Sequence, residues 1–219
     1  MKLLLYFLFF ISISFAQLPK GFTYISNIDE SIKIELAYLT EYNFIGKPIQ
    51  GYKKNVGIIT KETAEALKEV QQKLKEFGLS LKILDAYRPQ QAVNYFVFWA
   101  REIHDTIRKK DFYPTVDKKD LFKLGFIDAK SSHTRGSTVD LTIVDINSGE
   151  ELDMGSTFDF FGKQSHAFYR NITQKQRSNR LLLRNLMLDV GFKPYDKEWW
   201  HFTLKKEPFP KKYFNFPVK

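Results

Sequence analysis

Two short stretches, SSHTRGSTVDLTI from Ser131 and EWWH ending at His201, constrain this 219-residue chain more than any other feature. Between them they hold two histidines and one aspartate in dense polar and aromatic settings. Two imidazoles and a carboxylate are the ligand set of a catalytic zinc site, which takes three protein ligands and keeps a fourth place open. A fold that unites them must bring His201 from near the end of the chain to a turn and strand that begin at His133 and continue through Asp140.

Periodicity supplies the frame. From Thr60 to Phe77, Ala64, Leu67, Val70, Leu74 and Phe77 recur at three and four, with Thr60 as N-cap and Gly78 beyond the end, which predicts a helix. Leu79 to Ile83 alternates with period two and leads through Leu84-Asp85-Ala86-Tyr87 to Arg88-Pro89, which predicts a buried strand. Pro89 suits a helix start, and Ala92, Phe96, Trp99, Ile103 and Ile107 fall on one stripe. Thr138 to Val144 reads as a strand with Val139, Leu141 and Ile143 on one face and Asp140 on the other. A third helix spans Gln174 to Val190 and stops at Gly191. Beyond Lys205, three prolines predict an extended wrap tethered by Phe209, Tyr213, Phe214 and Phe216. The order suggests one α+β domain with a mostly antiparallel central sheet flanked by helices.

At 43% hydrophobic residues the chain can bury one ordinary core. Met1-Lys2, the apolar run Leu3 to Ile13 and Ser14-Phe15-Ala16 read as a cleaved signal peptide, residues 1–16, leaving residues 17–219 as one catalytic domain. Polar Ser12 and Ser14 end that run too early for a membrane span, so the expectation is an exported protein, periplasmic or secreted, with no transmembrane segment after cleavage. Zero cysteines exclude disulfides and thiolate catalysis and restrict a metal to nitrogen and oxygen ligands. The net charge of +9 comes from 34 basic and 25 acidic residues scattered in short pairs. That scatter reads as a solvated surface and predicts no nucleic-acid partner. Oligomeric state has no signal in the chain.

Each candidate read singly has two readings. His133 and His201 are zinc ligands or satisfied histidines, and Asp140 is a ligand or an acceptor for backbone donors. Glu198, three residues before His201 and read as one helical turn away, is a general base or a surface carboxylate. Arg88 ends its strand as a cation facing a cleft, where it would stabilise the oxyanion formed when water attacks a carbonyl, or as the partner of Asp85. His104 lies on a polar helix side, whereas His166 is expected to line the cleft behind the ligands.

The chain resembles the D-alanyl-D-alanine dipeptidases of the vancomycin-resistance VanX type, within the M15 zinc peptidases. The likeness rests on DAYRP at 85–89, SSHTRGSTVDLT at 131–142, FDF at 158–160, EWWHF at 198–202 and the closing FNFPVK, and covers nearly all of the mature length. It implies a small α+β fold of the hedgehog and D-Ala-D-Ala peptidase type, with one zinc ion held by His133, Asp140 and His201. It further implies Glu198 as catalytic base, Arg88 as stabiliser of the tetrahedral intermediate, and Tyr38 and Ser131 as substrate contacts, with Glu198 and Asp140 near the substrate's ammonium group. The substrates implied are small D,D-dipeptides, chiefly D-Ala-D-Ala, in a closed cavity. A D,D- or L,D-carboxypeptidase acting on peptidoglycan stem peptides is the alternative within the superfamily. Thr138 stands where the family usually has alanine, and its extra hydroxyl and branch are expected to crowd the site slightly.

Overall fold

A computed structural model describes residues 18–219; the expected signal peptide, residues 1–16, lies outside the described residues. The elements in chain order are β1 (Phe22–Tyr24), β2 (Lys33–Ile34), β3 (Ile58–Thr60), α1 (Lys61–Lys75), β4 (Leu79–Asp85), α2 (Gln90–Arg101), α3 (Lys109–Phe112), α4 (Leu121–Leu124), β5 (Thr138–Asp145), α5 (Gln174–Asp189), β6 (Phe192–Tyr195) and β7 (Glu198–Leu204). The central sheet has five strands in the order β2-β4-β5-β7-β6, and β1 pairs with β3 in a separate ribbon. All central pairs are antiparallel except β2 with β4. Helices α1 and α5 pack on the sheet and on each other. The fold is the expected α+β domain, and no helix among the described residues is long and apolar enough to cross a membrane.

The helices follow their apolar stripes, with corrections at two ends. Leu67, Val70 and Leu74 of α1 are fully buried, but the helix stops at Lys75 and Phe77 is 75% exposed. Thr60 occupies the N-cap without capping, because its hydroxyl pairs with Thr63 at 2.7 Å and Ser137 at 2.9 Å. In α2, Ala92, Phe96 and Trp99 enter the core as expected, whereas Ile103 and Ile107 lie past the helix and are exposed. The cause is a competing cap. Lys118 Nζ donates to the carbonyls of Glu102 and Asp105, both at 2.7 Å, and sits 3.9 Å from the Trp99 ring centre, which turns the chain away after Arg101. Helix α5 begins at a capping box in which Thr173 and Gln176 satisfy each other's backbone donors.

Two irregularities in the sheet aim side chains. Ile83 faces Leu141 but Asp85 faces Asp140, so Leu84 is an extra residue in β4. This bulge turns Asp85 onto the rung of Asp140, whereas regular pairing would have placed Leu84 there. On the other side, Pro194 faces Phe202 and Tyr195 faces Glu198, so β7 passes Trp199, Trp200 and His201 between consecutive partners of β6.

Candidate active site

One rung of the sheet assembles the site. Asp140 on β5 is the register partner of both Asp85 on β4 and His201 on β7, so these three side chains rise from the same face on adjacent strands. His133 comes from a short turn of helix, Ser132–Arg135, that feeds β5 through Gly136. Gly136 has φ 82°, and a Cβ there would strike the Phe22 ring, so this turn accepts no other residue without distortion.

His133 Nδ1 lies 2.8 Å from the Ala86 carbonyl and donates to it, which leaves Nε2 as the free lone pair. That nitrogen lies 3.2 Å from Asp140 Oδ2 and 3.3 Å from His201 Nδ1. One ligand atom from each of His133, Asp140 and His201 falls within 4.8 Å of the other two, a group that can hold a metal ion. Asp140 Oδ1 is buried and accepts no aligned hydrogen bond, although His201 Nδ1 is only 3.0 Å away. A buried carboxylate oxygen without a donor is costly, and a cation at this point would satisfy it. The nitrogen and oxygen donor set therefore fits zinc.

The charges are strongly coupled. Burial opposes the Asp140 anion, but His133 and His201 outweigh it and hold its carboxyl well below the ordinary range. Burial pushes the Glu198 carboxyl up to about 7; His201 and Arg88 pull it down while Asp140 adds to the rise. Glu198 and His201 stand on an irregular strand, not on the helical turn expected, and the bulge brings Glu198 Oε2 to 3.5 Å from His201 Nδ1.

Arg88 is paired with Asp85 and also lines the cavity described below. Its Nε donates to Asp85 Oδ2 at 2.8 Å, while Nη2 reaches Asp140 Oδ2 at 3.5 Å and the Tyr38 hydroxyl at 3.4 Å. Tyr52 holds the other Asp85 oxygen at 2.7 Å, so the carboxylate is an anchor that fixes the guanidinium.

A cavity of about 280 Å³ opens over these groups, lined by Arg88, His133, Asp140, Glu198 and His201, with Tyr38 and Ser131 also on its wall. Phe44, Phe96, Phe126 and Phe161 give it an aromatic side. His104 is exposed, as expected. His166 is not among the residues of this wall. It lines a separate cavity with Lys163, Tyr169 and Lys197, which touches the first only through Phe126. The expectation for His166 is not met: the loop between β5 and α5 places it at that second cavity, with its carbonyl held by Arg180 at 2.8 Å.

Asp159 is the residue that motif chemistry overlooked. It lines the cavity, is 7% exposed and accepts from the Tyr38 hydroxyl at 2.8 Å. Burial first and the Asp140 charge second push its carboxyl well above the ordinary range. It is the one non-glycine residue with positive φ, 58°, among the described residues, a strain that marks functional positions. A lone acid between Phe158 and Phe160 was the available signal.

Comparison with known proteins gives the family. The profile of Peptidase_M15, described as D-ala-D-ala dipeptidase, matches residues 19–219. The D-alanyl-D-alanine dipeptidase of Enterococcus faecium is 40% identical over 199 residues, covering 91% of this chain and 98% of that protein. That of Enterococcus faecalis is 39% identical, covering 92% and 100%, and that of Streptomyces coelicolor 38% identical, covering 90% and 98%. The chain therefore belongs to the D-ala-D-ala dipeptidase family of M15 peptidases, which are hydrolases.

Proposed function

We propose that this enzyme hydrolyses D-alanyl-D-alanine with one zinc ion held by His133, Asp140 and His201. The observation that carries the reading is the convergence of three ligand atoms within 4.8 Å beside one under-bonded carboxylate oxygen. When bound, zinc supplies a Lewis acid that makes water acidic near neutral pH and polarises the scissile carbonyl. Glu198, partly desolvated and beside His201, takes the proton of the attacking water and returns it to the leaving amine. The Arg88 guanidinium, fixed by Asp85, faces the oxygen that gains negative charge in the tetrahedral state.

Substrate choice follows from the cavity's charge and size. Asp140, Asp159 and Glu198 place three carboxyl groups around the cavity, and a free ammonium would compensate the buried Asp159. A stem peptide offers a neutral amide where the dipeptide offers that ammonium, and so gives the buried Asp159 carboxyl no charged partner. The volume of about 280 Å³ falls just below the usual ~300–1,000 Å³ of small-molecule pockets. Lys130, which also lines the cavity, supplies a cation for the substrate's carboxylate. We place the activity outside the cytoplasm on the strength of residues 1–16 alone.

Metal content by mass spectrometry, followed by hydrolysis assays with and without chelator, tests the proposal. One zinc per chain is expected, with D-Ala-D-Ala turnover lost to the chelator and restored by zinc. N-acetyl-D-Ala-D-Ala and the tetrapeptide and pentapeptide stems should remain uncut. Turnover indifferent to chelation would end the zinc reading, and efficient cleavage of stem peptides would make the protein a carboxypeptidase.

A further inference from the structure

From Phe214 on, the C-terminal tail bonds at every second residue to neighbours of the groups given catalytic roles above, yet it contributes nothing to the cavity wall. Phe214 N donates to the Thr134 carbonyl at 3.0 Å, and Phe214 O accepts from Gln90 N at 3.0 Å. Thr134 follows His133, and Gln90 lies two residues beyond Arg88. One residue of the tail thus joins the two turns that carry the first imidazole and the guanidinium. The direct link between those turns, Arg88 N to His133 O, is long at 3.4 Å.

Phe216 repeats the pattern one step along. Its ring stacks on Tyr87 with centroids 4.1 Å apart and planes 12° from parallel. The Tyr87 hydroxyl donates to Phe216 O at 3.0 Å and accepts from Phe216 N at 2.9 Å, so a buried side chain adjacent to Arg88 is held by the tail's backbone at both ends. Val218 makes the third contact. It forms a bridge with Tyr52, donates to Gly51 O at 2.8 Å and accepts from Lys53 N at 2.8 Å. Tyr52 is the residue whose hydroxyl holds Asp85, and Asp85 holds Arg88.

We propose that residues 214–218 are positioning residues for the catalytic pocket, a strap that sets the separation between the Arg88 guanidinium and the His133 imidazole from behind. The inference rests on the roles given above to Arg88 and His133. A strap of this kind acts on the geometry of groups that meet the transition state, so loosening it lowers kcat more than it raises KM. A tail that merely covers the core would lower stability and leave the folded enzyme's kinetics alone.

Three variants separate these outcomes: Tyr87→Phe removes the hydroxyl bonds but keeps the stack, Phe216→Ala removes the stack, and Phe216→Tyr keeps an aromatic ring. Each is assayed as full-length protein, at a temperature where circular dichroism shows it folded, for kcat, KM and zinc affinity by competition with a chromogenic chelator. Tyr87→Phe and Phe216→Ala are expected to lose about 10-fold in kcat and in zinc affinity, the size seen when groups behind a metal site are removed. KM should change little, and Phe216→Tyr, which keeps the stacked ring, should stay at the parental kcat and zinc affinity. Folded variants with parental kcat and zinc affinity would overturn the strap. An intact chain that binds no zinc would refute the zinc reading instead. The strap would then be judged by amide exchange at Arg88 and Gln90, faster in Tyr87→Phe if the tail holds the turn and unchanged if it does not.

Discussion

The two ends of β4 each bury a polar cluster, and the clusters differ in kind. At the start, Gln71 Nε2 donates to Ser31 Oγ at 2.9 Å and Ser80 Oγ at 2.8 Å, while Gln71 Oε1 accepts from Leu81 N at 2.8 Å. Ser80 in turn donates to the Ser31 carbonyl at 3.0 Å. The buried groups there are neutral, and their one link to charge, from Ser31 to the Asp29 carboxylate that pairs with Lys75, is closed within the protein as well, so the cluster fixes α1 to the sheet and offers nothing to a ligand. At the other end, Asp85, Arg88, His133, Asp140, His201 and Glu198 crowd charges together. One carboxylate oxygen lacks a donor, one carboxyl is pushed up to about 7, and a neighbouring aspartate is strained. A satisfied neutral network holds structure, whereas an under-satisfied charged one is waiting for a partner. Removing side chains from each should therefore separate stability from turnover.

The largest effect is expected at Glu198. In Glu198→Gln the proton acceptor is gone while the shape remains, so kcat for D-Ala-D-Ala should fall by about 10²–10⁴-fold. Zinc content should stay at the parental level, since the ligand group does not include this residue. The melting temperature should hold or rise, because burial already disfavours the Glu198 anion. Steady-state kinetics, metal analysis and calorimetry on one preparation check all three, and an undiminished kcat would remove Glu198 from the chemistry.

Gln71→Ala probes the opposite end and should reverse the pattern. It strips partners from the buried Leu81 N–H and from two serine hydroxyls, a loss of about 1–3 kcal/mol in unfolding free energy. The value of kcat/KM at low temperature should match the parent. Denaturant titration reads the first quantity and initial rates the second. A fall in kcat/KM with unchanged stability would mean that the two ends of β4 are not independent.

The same contrast explains which parts of the molecule were legible in the chain. Elements built by repetition were plain: the stripe of α1, the alternation of β4 and the strand bearing Asp140 depend on local periodicity, and the structure follows them. Residues placed by irregularity were not. The three-residue spacing of Glu198 and His201 looks helical, and only the mismatch between β6 and β7 brings them together on a strand. Leu84 carries no mark of a bulge, yet it decides that Asp85 meets Asp140. Ile103 and Ile107 continue the stripe of α2, but a lysine from a later turn ends the helix before them. Asp159 and His166 sit in one long loop, and nothing local distinguishes the acid that enters the cavity from the imidazole that does not. The group that can hold a metal was readable because its chemistry is rare, with only four histidines in the chain.

Thr138 gives the smallest and most discriminating test. It faces Thr203 across β5 and β7, two residues along the ladder from the pair of Asp140 and His201, and the two hydroxyls lie 2.8 Å apart. The extra group expected to crowd the cavity is instead taken up by its cross-strand neighbour, and Thr138 is not on the cavity wall. Thr138→Ala should therefore cost only about 0.5–1.5 kcal/mol, the ordinary worth of one hydrogen bond, with a small further loss of strand preference. Since Thr203 is half-buried, its freed hydroxyl has a route to solvent, which favours the lower part of that range. Turnover and zinc affinity should be indistinguishable from the parent. A change of several-fold in either would show that the charged cluster reaches two residues further along β5 than its hydrogen bonds indicate, and that the boundary between the structural and reactive parts of this sheet lies beyond Thr138.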